Sequence, residues 1–273
     1  MQDFNGKVAV VTGAGSGIGR ALALRCAEEG MAVAAADLKE DRLDALRPEF
    51  EQRGAELLTV AVNVCDADAM ADFAAKCRSR FGASHLLFNN AGILRLGDTW
   101  SHGVDEWQTM LDVNVLGVVN GINAFLPDML ESGEAAHIVN TGSVGSLVAA
   151  PGMAQYTAAK MAVRGITECL QYDLAAKGAS VGVSLLCPGP VLTSISDDLM
   201  GVESVAPSGD PSEHLMAGQP NFAKPAEVAE RVFNGIRAGN FWIFTHPLNA
   251  YLKAKHDAIV SGVNPEYSEV TFD

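Results

Sequence analysis

The chain has 273 residues, 48% of them hydrophobic, which is enough for one large α/β domain with a buried core and too apolar for a disordered chain. Lys and Arg number 19 against 33 Asp and Glu, a formal net charge of -14 with no basic run, which argues against nucleic acid, anionic membrane surfaces and acidic protein partners. Five scattered cysteines (Cys26, Cys65, Cys77, Cys169, Cys187), with no Cys-x-x-Cys and no His-rich spacing, read as core residues in a reducing compartment and indicate no metal site.

Short apolar runs at 7–12, 31–36, 57–62, 85–89, 136–142, 181–187 and 241–245 read as strands. Helical patterns fill the gaps near 17–29, 40–53, 66–80, 104–131, 155–177 and 225–238. Continuous apolar strands imply burial on both faces, and strict alternation with helices implies a parallel sheet covered on both sides. A single domain over 1–273 is expected, with a C-terminal extension at 248–273. No secretory h-region precedes the first strand, and no apolar run approaches the roughly 18–20 residues of a membrane span. The expected location is the cytoplasm.

The first strand runs into Thr12-Gly13-Ala14-Gly15-Ser16-Gly17-Ile18-Gly19 and then a helix. Glycines there permit a tight turn and close approach to a pyrophosphate, while the helix start offers unpaired N–H groups to the phosphates. Asp37 closes the second strand, where a carboxylate accepts ribose hydroxyls and repels a 2′-phosphate, favouring NAD over NADP. Lys39 nearby weakens that exclusion, and an N-cap for the next helix is the other reading of Asp37. Asn63 ends the third strand within reach of an adenine edge.

The fourth strand ends in Asn89-Asn90-Ala91-Gly92, a polar turn at the carboxyl edge where open α/β sheets bind ligands. Asn114 interrupts an apolar helix; a buried amide there needs partners, and spacing alone leaves function and core hydrogen bonding open. The fifth strand ends in Gly142-Ser143. No G-x-S-x-G elbow or His–Asp pair surrounds Ser143, so it reads as a hydroxyl donor to a carbonyl oxygen and not as a hydrolase nucleophile. Tyr156 and Lys160 stand four apart at the start of a helix and share one face. An ammonium beside a phenol should lower the tyrosine pKa toward neutrality and make a general acid and base. The sixth strand leads to Cys187-Pro188-Gly189-Pro190-Val191-Leu192-Thr193, and residues 194–223, rich in Gly and Pro, read as a mobile cover over the site or a solvated insertion.

Taken in this order, T-G-x-x-x-G-x-G, N-N-A-G, Asn114, Ser143, Y-x-x-x-K and P-G, the chain resembles a short-chain dehydrogenase/reductase of the single-domain type from about Lys7 to Pro247. The resemblance implies a doubly wound Rossmann fold, a seven-stranded parallel sheet in the order 3-2-1-4-5-6-7. It makes Tyr156 the acid/base, assigns Lys160 to the tyrosine pKa and the nicotinamide ribose, Ser143 to the substrate oxygen, and Asn114 to a proton-relay water. The catalytic candidates are therefore Asn114, Ser143, Tyr156 and Lys160. The cofactor candidates are Gly13, Ser16, Gly17, Ile18 and Gly19, then Asp37, Asn63 and Val64, then Asn90, Ala91 and Gly92. Tyr156 and Lys160 join them, with Pro188 and Gly189 passing the nicotinamide, Val191, and Thr193 at the carboxamide. Asn63 stands where the family usually has Asp, and Ser84-His85 where an Asp is frequent.

Segments 114–121 and 241–247 also resemble a looser subgroup, some of whose members oxidise benzylic or other bulky secondary alcohols. Ile93, Leu94, Leu96, Val144, Leu147, Val148, Pro151 and Met153 should surround an apolar small-molecule substrate, with Arg95 a candidate for a carboxylate or a solvent-facing loop residue. The expected activity is NAD-dependent interconversion of a secondary alcohol and a ketone. An NADPH-dependent 3-ketoacyl-type reductase and a non-catalytic NAD-binding regulator are the alternatives. Apolar helices at 104–131 and 155–177, by the same resemblance, pair into a homotetramer or at least a homodimer.

Overall fold

The computed structural model describes residues 1–193, 195, 221–268 and 270. Seven parallel strands form one sheet: β1 (Val8–Thr12), β2 (Ala32–Asp37), β3 (Leu57–Ala61), β4 (Leu86–Asn89), β5 (Ala136–Thr141), β6 (Val181–Cys187) and β7 (Trp242–Phe244). Their order is β3-β2-β1-β4-β5-β6-β7, the one the motif order implies. Alternate residues of each strand feed two separate cores. Ala9 and Val11 of β1, Val33 and Ala35 of β2, and Leu86 and Phe88 of β4 face one side. Val8 and Val10, Ala34 and Ala36, and Leu87 face the other. This two-faced burial is why the strands carry no polar alternation.

Helices α1 (Gly17–Glu28), α2 (Glu40–Asp44), α3 (Arg47–Arg53), α4 (Ala67–Phe81), α5 (Val104–Leu111), α6 (Gly117–Ser132), α7 (Ala154–Ala176), α8 (Pro225–Ala238) and α9 (Asn249–Ser261) follow the strands. On one face α1 and α8 pack with Phe4, whose ring meets Phe233 edge-on at 4.9 Å. On the other, α4 and α6 meet through Phe73 and Phe125 at 5.5 Å. Asp66 caps α4, its side chain accepting from Ala69 N at 3.0 Å.

Two expectations are corrected, and a third gains a detail. The helix expected at 40–53 breaks after Asp44, because Pro48 in the first turn of α3 lacks an N–H and starts a new helix. The helix at 104–131 is one rod with a π turn at Asp112–Leu116 between α5 and α6. That rod, Val104–Ser132, is long and apolar enough by length and composition to span a membrane, contrary to the reading of the sequence. Here Val118, Gly121, Phe125 and Met129 are buried against the fold. The C-terminal extension contains α9, which buries none of its residues and begins beside the buried Leu248. The expected cover at 194–223 lies outside the described residues apart from Ile195, Asn221, Phe222 and Ala223.

The sheet order reverses between β1 and β4. The two chain ends there diverge and leave a crevice at the carboxyl edge, where such sheets bind ligands.

Candidate active site

Thr12, at the tip of β1, binds the two sides of that crevice together. Its hydroxyl accepts from Asn90 N (3.0 Å) and Ala91 N (3.1 Å) and donates to Phe88 O (3.3 Å). Asn90 Nδ2 returns a bond to Thr12 O at 3.1 Å. Gly13 has φ +64, and a Cβ there would lie 2.9 Å from Ala91 Cα; one at Gly19 would lie 2.0 Å from Gly13 O. Side chains at either position would push the start of α1 off the turn. Gly19 is thus a packing residue and does not line the crevice, whereas Gly13, Ser16, Gly17 and Ile18 do.

Asp37 ends β2 with both carboxylate oxygens engaged. Oδ2 accepts from Gly15 N at 2.9 Å and Oδ1 from Lys39 N at 3.1 Å. Lys39, not Asp37, occupies the N-cap of α2, so the capping reading does not hold. The carboxylate shares its end of the cavity with Leu38, Lys39 and Arg42. Asn63 and Val64 line the next wall. Asn63 Oδ1 accepts from Cys65 N (3.1 Å), and Val64 O accepts from Asn120 Nδ2 (2.9 Å).

At the other end, β5, a 3-10 turn (Val144–Ser146) and the first turns of α7 bring Ser143, Tyr156 and Lys160 together, all three buried and lining the cavity. Ser143 Oγ accepts from Gly145 N at 3.0 Å, and Ser143 N donates to Ser146 Oγ at 3.1 Å, which fixes the hydroxyl's position. Tyr156 is hydrogen-bonded to the Ser143 side chain. Burial nevertheless raises the phenol pKa, and the bond to Ser143 only partly offsets this. This reverses the expected direction. Lys160 is itself desolvated, its pKa drawn down to about 8, and its ammonium donates to Thr141 O at 2.9 Å while standing 5.6 Å from the tyrosine ring centre.

Asn114 sits in the π turn, fully buried, and does not reach the cavity surface. Its Oδ1 accepts from Ile93 N (3.3 Å), and its Nδ2 donates to Ile93 O (3.0 Å) and Met110 O (3.2 Å). It therefore holds the chain just after Gly92 from behind. Π turns recur where a helix must present a side chain out of register.

The cavity has a volume of about 620 Å³ and runs continuously from Asp37 to Tyr156. Asn90, Ala91, Gly92, Pro188, Gly189, Val191 and Thr193 form its middle. Of the apolar residues expected around a substrate, Ile93, Leu94, Val144 and Met153 line it; Leu96, Leu147, Val148 and Pro151 do not. Arg95 pairs with Glu106 at 3.1 Å outside the cavity. Arg42, Val62, Val113 and Thr141 line it without having been foreseen, as do Ile195 and Phe222 from the segment expected to cover the site. Thr141 was legible as the last strand residue before Ser143. Arg42 was not, because only the short helix α2 turns it back over Gly15, whose Cβ position lies 2.5 Å from Arg42 Cβ. Among the described residues no cluster of three His, Cys, Asp or Glu forms a metal site.

The whole chain superposes on a crystal structure of a short-chain dehydrogenase/reductase from Burkholderia phymatum in complex with NAD, with TM-score 0.90 and 37% identity over 99% of this chain and 100% of that one. The 1-deoxy-11-beta-hydroxypentalenate dehydrogenase of Streptomyces avermitilis is 35% identical over 240 residues, 87% of this chain and 84% of the relative. The 3-oxoacyl-[acyl-carrier-protein] reductase of Staphylococcus aureus is 37% identical over 195 residues, 71% of this chain and 78% of the relative. Residues 7–201, which carry β1 through Thr193, match the profile of the short chain dehydrogenases. With the sheet order, the glycine turn and the buried Ser-Tyr-Lys end agreeing with it, the chain belongs to the short-chain dehydrogenase/reductase family of oxidoreductases.

Proposed function

We propose that the protein interconverts a secondary alcohol and a ketone with NAD, on an apolar, bulky substrate. The observation that carries this is the single cleft joining a carboxylate-tipped glycine turn to Ser143, Tyr156 and Lys160. The residues present fit a dinucleotide. The turn from Gly13 to Ile18 offers backbone N–H groups and space to a pyrophosphate, and Asp37 offers oxygen lone pairs to ribose hydroxyls. Asn63 and Val64 would flank the adenine; Pro188, Gly189, Val191 and Thr193 would hold the nicotinamide end.

NAD, when bound, supplies the hydride acceptor at the carbon that bears the hydroxyl. Ser143 Oγ holds the substrate oxygen. Tyr156 accepts the hydroxyl proton in oxidation and returns it in reduction. Lys160 carries a positive charge below about pH 8, which favours the phenolate in the moment it forms. Asn114 acts at one remove, by fixing Ile93 on the substrate wall. Ile93, Leu94, Val144, Met153, Ile195 and Phe222 give that wall its apolar character and leave polar recognition to Ser143 and Tyr156.

The similarity to an acyl-carrier-protein reductase supports a second reading, reduction of a 3-ketoacyl thioester with NADPH. Asp37 opposes a 2′-phosphate, and a net charge of -14 opposes an acidic carrier. The test is turnover of a panel of secondary alcohols with NAD against 3-ketoacyl thioesters with NADPH. Tyr156→Phe should bind NAD normally and lose about 10²–10⁴ in kcat. Near-normal turnover by that variant would remove Tyr156 from the chemistry.

A further inference from the structure

The side chain after β7 reaches two segments that the reaction scheme treats separately. Gly189 N donates to Thr245 Oγ1 at 2.9 Å, Thr245 Oγ1 meets His246 Nδ1 at 2.8 Å, and His246 Nε2 meets Asn221 O at 2.9 Å. Asn221 precedes Phe222, a wall of the cavity; Gly189, in the turn after β6, lines the same cavity.

One proton in this chain is fixed by its partner. A peptide carbonyl only accepts, so His246 Nε2 carries a hydrogen and donates it to Asn221 O. Thr245 Oγ1 accepts from Gly189 N and keeps its own hydrogen and a second lone pair with which to meet Nδ1. With the Thr245 hydrogen on Nδ1 the ring is neutral. Burial holds its pKa below the ordinary histidine value, and the Arg231 charge pushes the same way. The fit is steric as well: a Cβ on Gly189 would lie 2.5 Å from His246 Nδ1, so the turn is packed directly against the imidazole.

Asn221 has φ +67, the one non-glycine residue in the left-handed region among the described residues. That conformation needs support. On the far side of Phe222, Ala223 is held by a β-bridge to Val191, with Ala223 N donating to Pro190 O and Leu192 N to Ala223 O, both at 3.0 Å. Phe222 is therefore pinned at both neighbours, by backbone pairing at Ala223 and by His246 at Asn221.

We propose that His246 is a positioning residue for the substrate half of the site: through Thr245 and Asn221 it sets the Phe222 wall in register with the Pro188–Gly189 turn. The inference rests on reading this cleft as the alcohol site. His246 touches neither substrate nor the reacting atoms, so its loss should act on substrate binding and not on the chemistry or on NAD.

The probe is 1-phenylethanol oxidised with NAD. His246→Leu should raise its KM about tenfold, one decade being about 1.4 kcal/mol, with kcat and the NAD Kd nearly unchanged. His246→Gln keeps an N–H that reaches Asn221 O and should recover most of the loss. Phe222→Ala should raise KM as well, and the His246→Leu/Phe222→Ala pair should be no worse than Phe222→Ala alone, because both act through one side chain. Amide hydrogen exchange supplies a readout independent of turnover. Leu192 and Ala223 should exchange faster in His246→Leu and recover in His246→Gln, while Val183 and Ile138 in the sheet stay protected. Unchanged exchange at Leu192 and Ala223, additive penalties, or a parallel fall in NAD affinity would overturn the assignment. If the wild type oxidises no secondary alcohol, the functional reading fails, and the exchange data still decide whether His246 holds this segment. If His246→Leu does not fold, His246→Ala takes its place: faster exchange at Leu192 and Ala223 than in wild type supports the assignment, and unchanged exchange overturns it.

Discussion

Tyr156 and Lys160 were legible as a pair because four residues on a helix is one turn, a geometric fact that needs no tertiary knowledge. Their electrostatics were not legible, because those depend on how deeply the fold buries them. Lys160 is charged at a cost that the fold carries for the sake of the site. Its pKa falls from 10.5 to about 8 through burial. Below pH 8 both folded and unfolded chains hold the proton and the whole cost is present. Between pH 8 and 10.5 the folded chain releases the proton while the unfolded chain keeps it, so stability rises with pH, by about 1.4 kcal/mol per unit. Lys160→Met should therefore be more stable than wild type at pH 7 by about 1–3 kcal/mol, with the gap closing toward pH 10. Urea midpoints of the two proteins at pH 7 and pH 10 check this; a constant gap would show that the ammonium is not desolvated. Asp37 presents the complementary case. It opposes a 2′-phosphate, and unit charges 4 Å apart interact by about 4 kcal/mol at an effective dielectric near 20. Wild type should prefer NAD, and Asp37→Ser should improve NADP at least tenfold. Arg42 and Lys39, on the same cavity wall, then face the phosphate unopposed, so adding Arg42→Ala should cancel that gain. Cofactor KM ratios across the three proteins decide it. A serine cannot replace both bonds to Gly15 N and Lys39 N, so NAD should also bind less well.

The strands could be read from the sequence because each feeds two apolar cores, and that leaves uninterrupted runs such as Val8–Thr12 and Leu86–Asn89. The π turn could not, since one extra residue in a helix leaves no mark on apolar spacing, and α5, the turn and α6 read as one helix. Nor could Phe222 be singled out within the expected cover at 194–223, because its position follows from pairing between Ala223 and Val191, far apart in the chain. The Ser84-His85 departure from the family pattern acquires a reason in the structure. His85 Nδ1 accepts from Val8 N and Nε2 meets Glu134, both at 3.1 Å, and Glu134 pairs with Lys7 at 2.5 Å. This ties the start of β1 to that of β4 at the edge away from the site. A second histidine links β5 to β6. Ser184 Oγ donates to Asn240 O, so His137 Nε2 must donate to Ser184 Oγ, at 2.8 Å. Burial drives the His137 pKa down to about 3. Above the unfolded value near 6.5 the ring is neutral in both states. As pH falls from there toward 3, the unfolded chain takes up a proton that the folded chain refuses, and stability drops by about 1.4 kcal/mol per unit. His137→Gln, which can still donate to Ser184, should lose less stability than wild type between pH 7 and pH 4. Parallel urea curves for the two proteins would place the acid sensitivity elsewhere.

At the scale of the molecule, apolar surface left on α6 and α7 has to be accounted for. The inner faces of both helices are committed to the sheet and the site, yet Leu116 remains 46% exposed, Leu130 41%, Met161 38% and Tyr172 67%. Leu116 lies in the π turn that leads into α6, Leu130 on α6 and Met161 and Tyr172 on α7. We propose that these faces pair between copies of the chain, giving a homodimer or homotetramer. A stable interface hides about 800 Å² on each partner, roughly what two helices of this length present. Each copy carries a net charge of -14, so association works against repulsion that salt screens over about 10 Å at 0.1 M. Assembly should therefore tighten as salt is raised, the reverse of an interface built on opposite charges. Sedimentation at micromolar concentration should find dimers or tetramers for wild type. Met161→Glu combined with Tyr172→Glu should shift them to monomer, because it buries carboxylates without partners. The affinity for NAD should survive in that monomer, since neither Met161 nor Tyr172 lines the cavity. A wild type that sediments as a monomer at every salt concentration would leave these side chains as ordinary exposed surface, and the charge argument would then bear only on solubility.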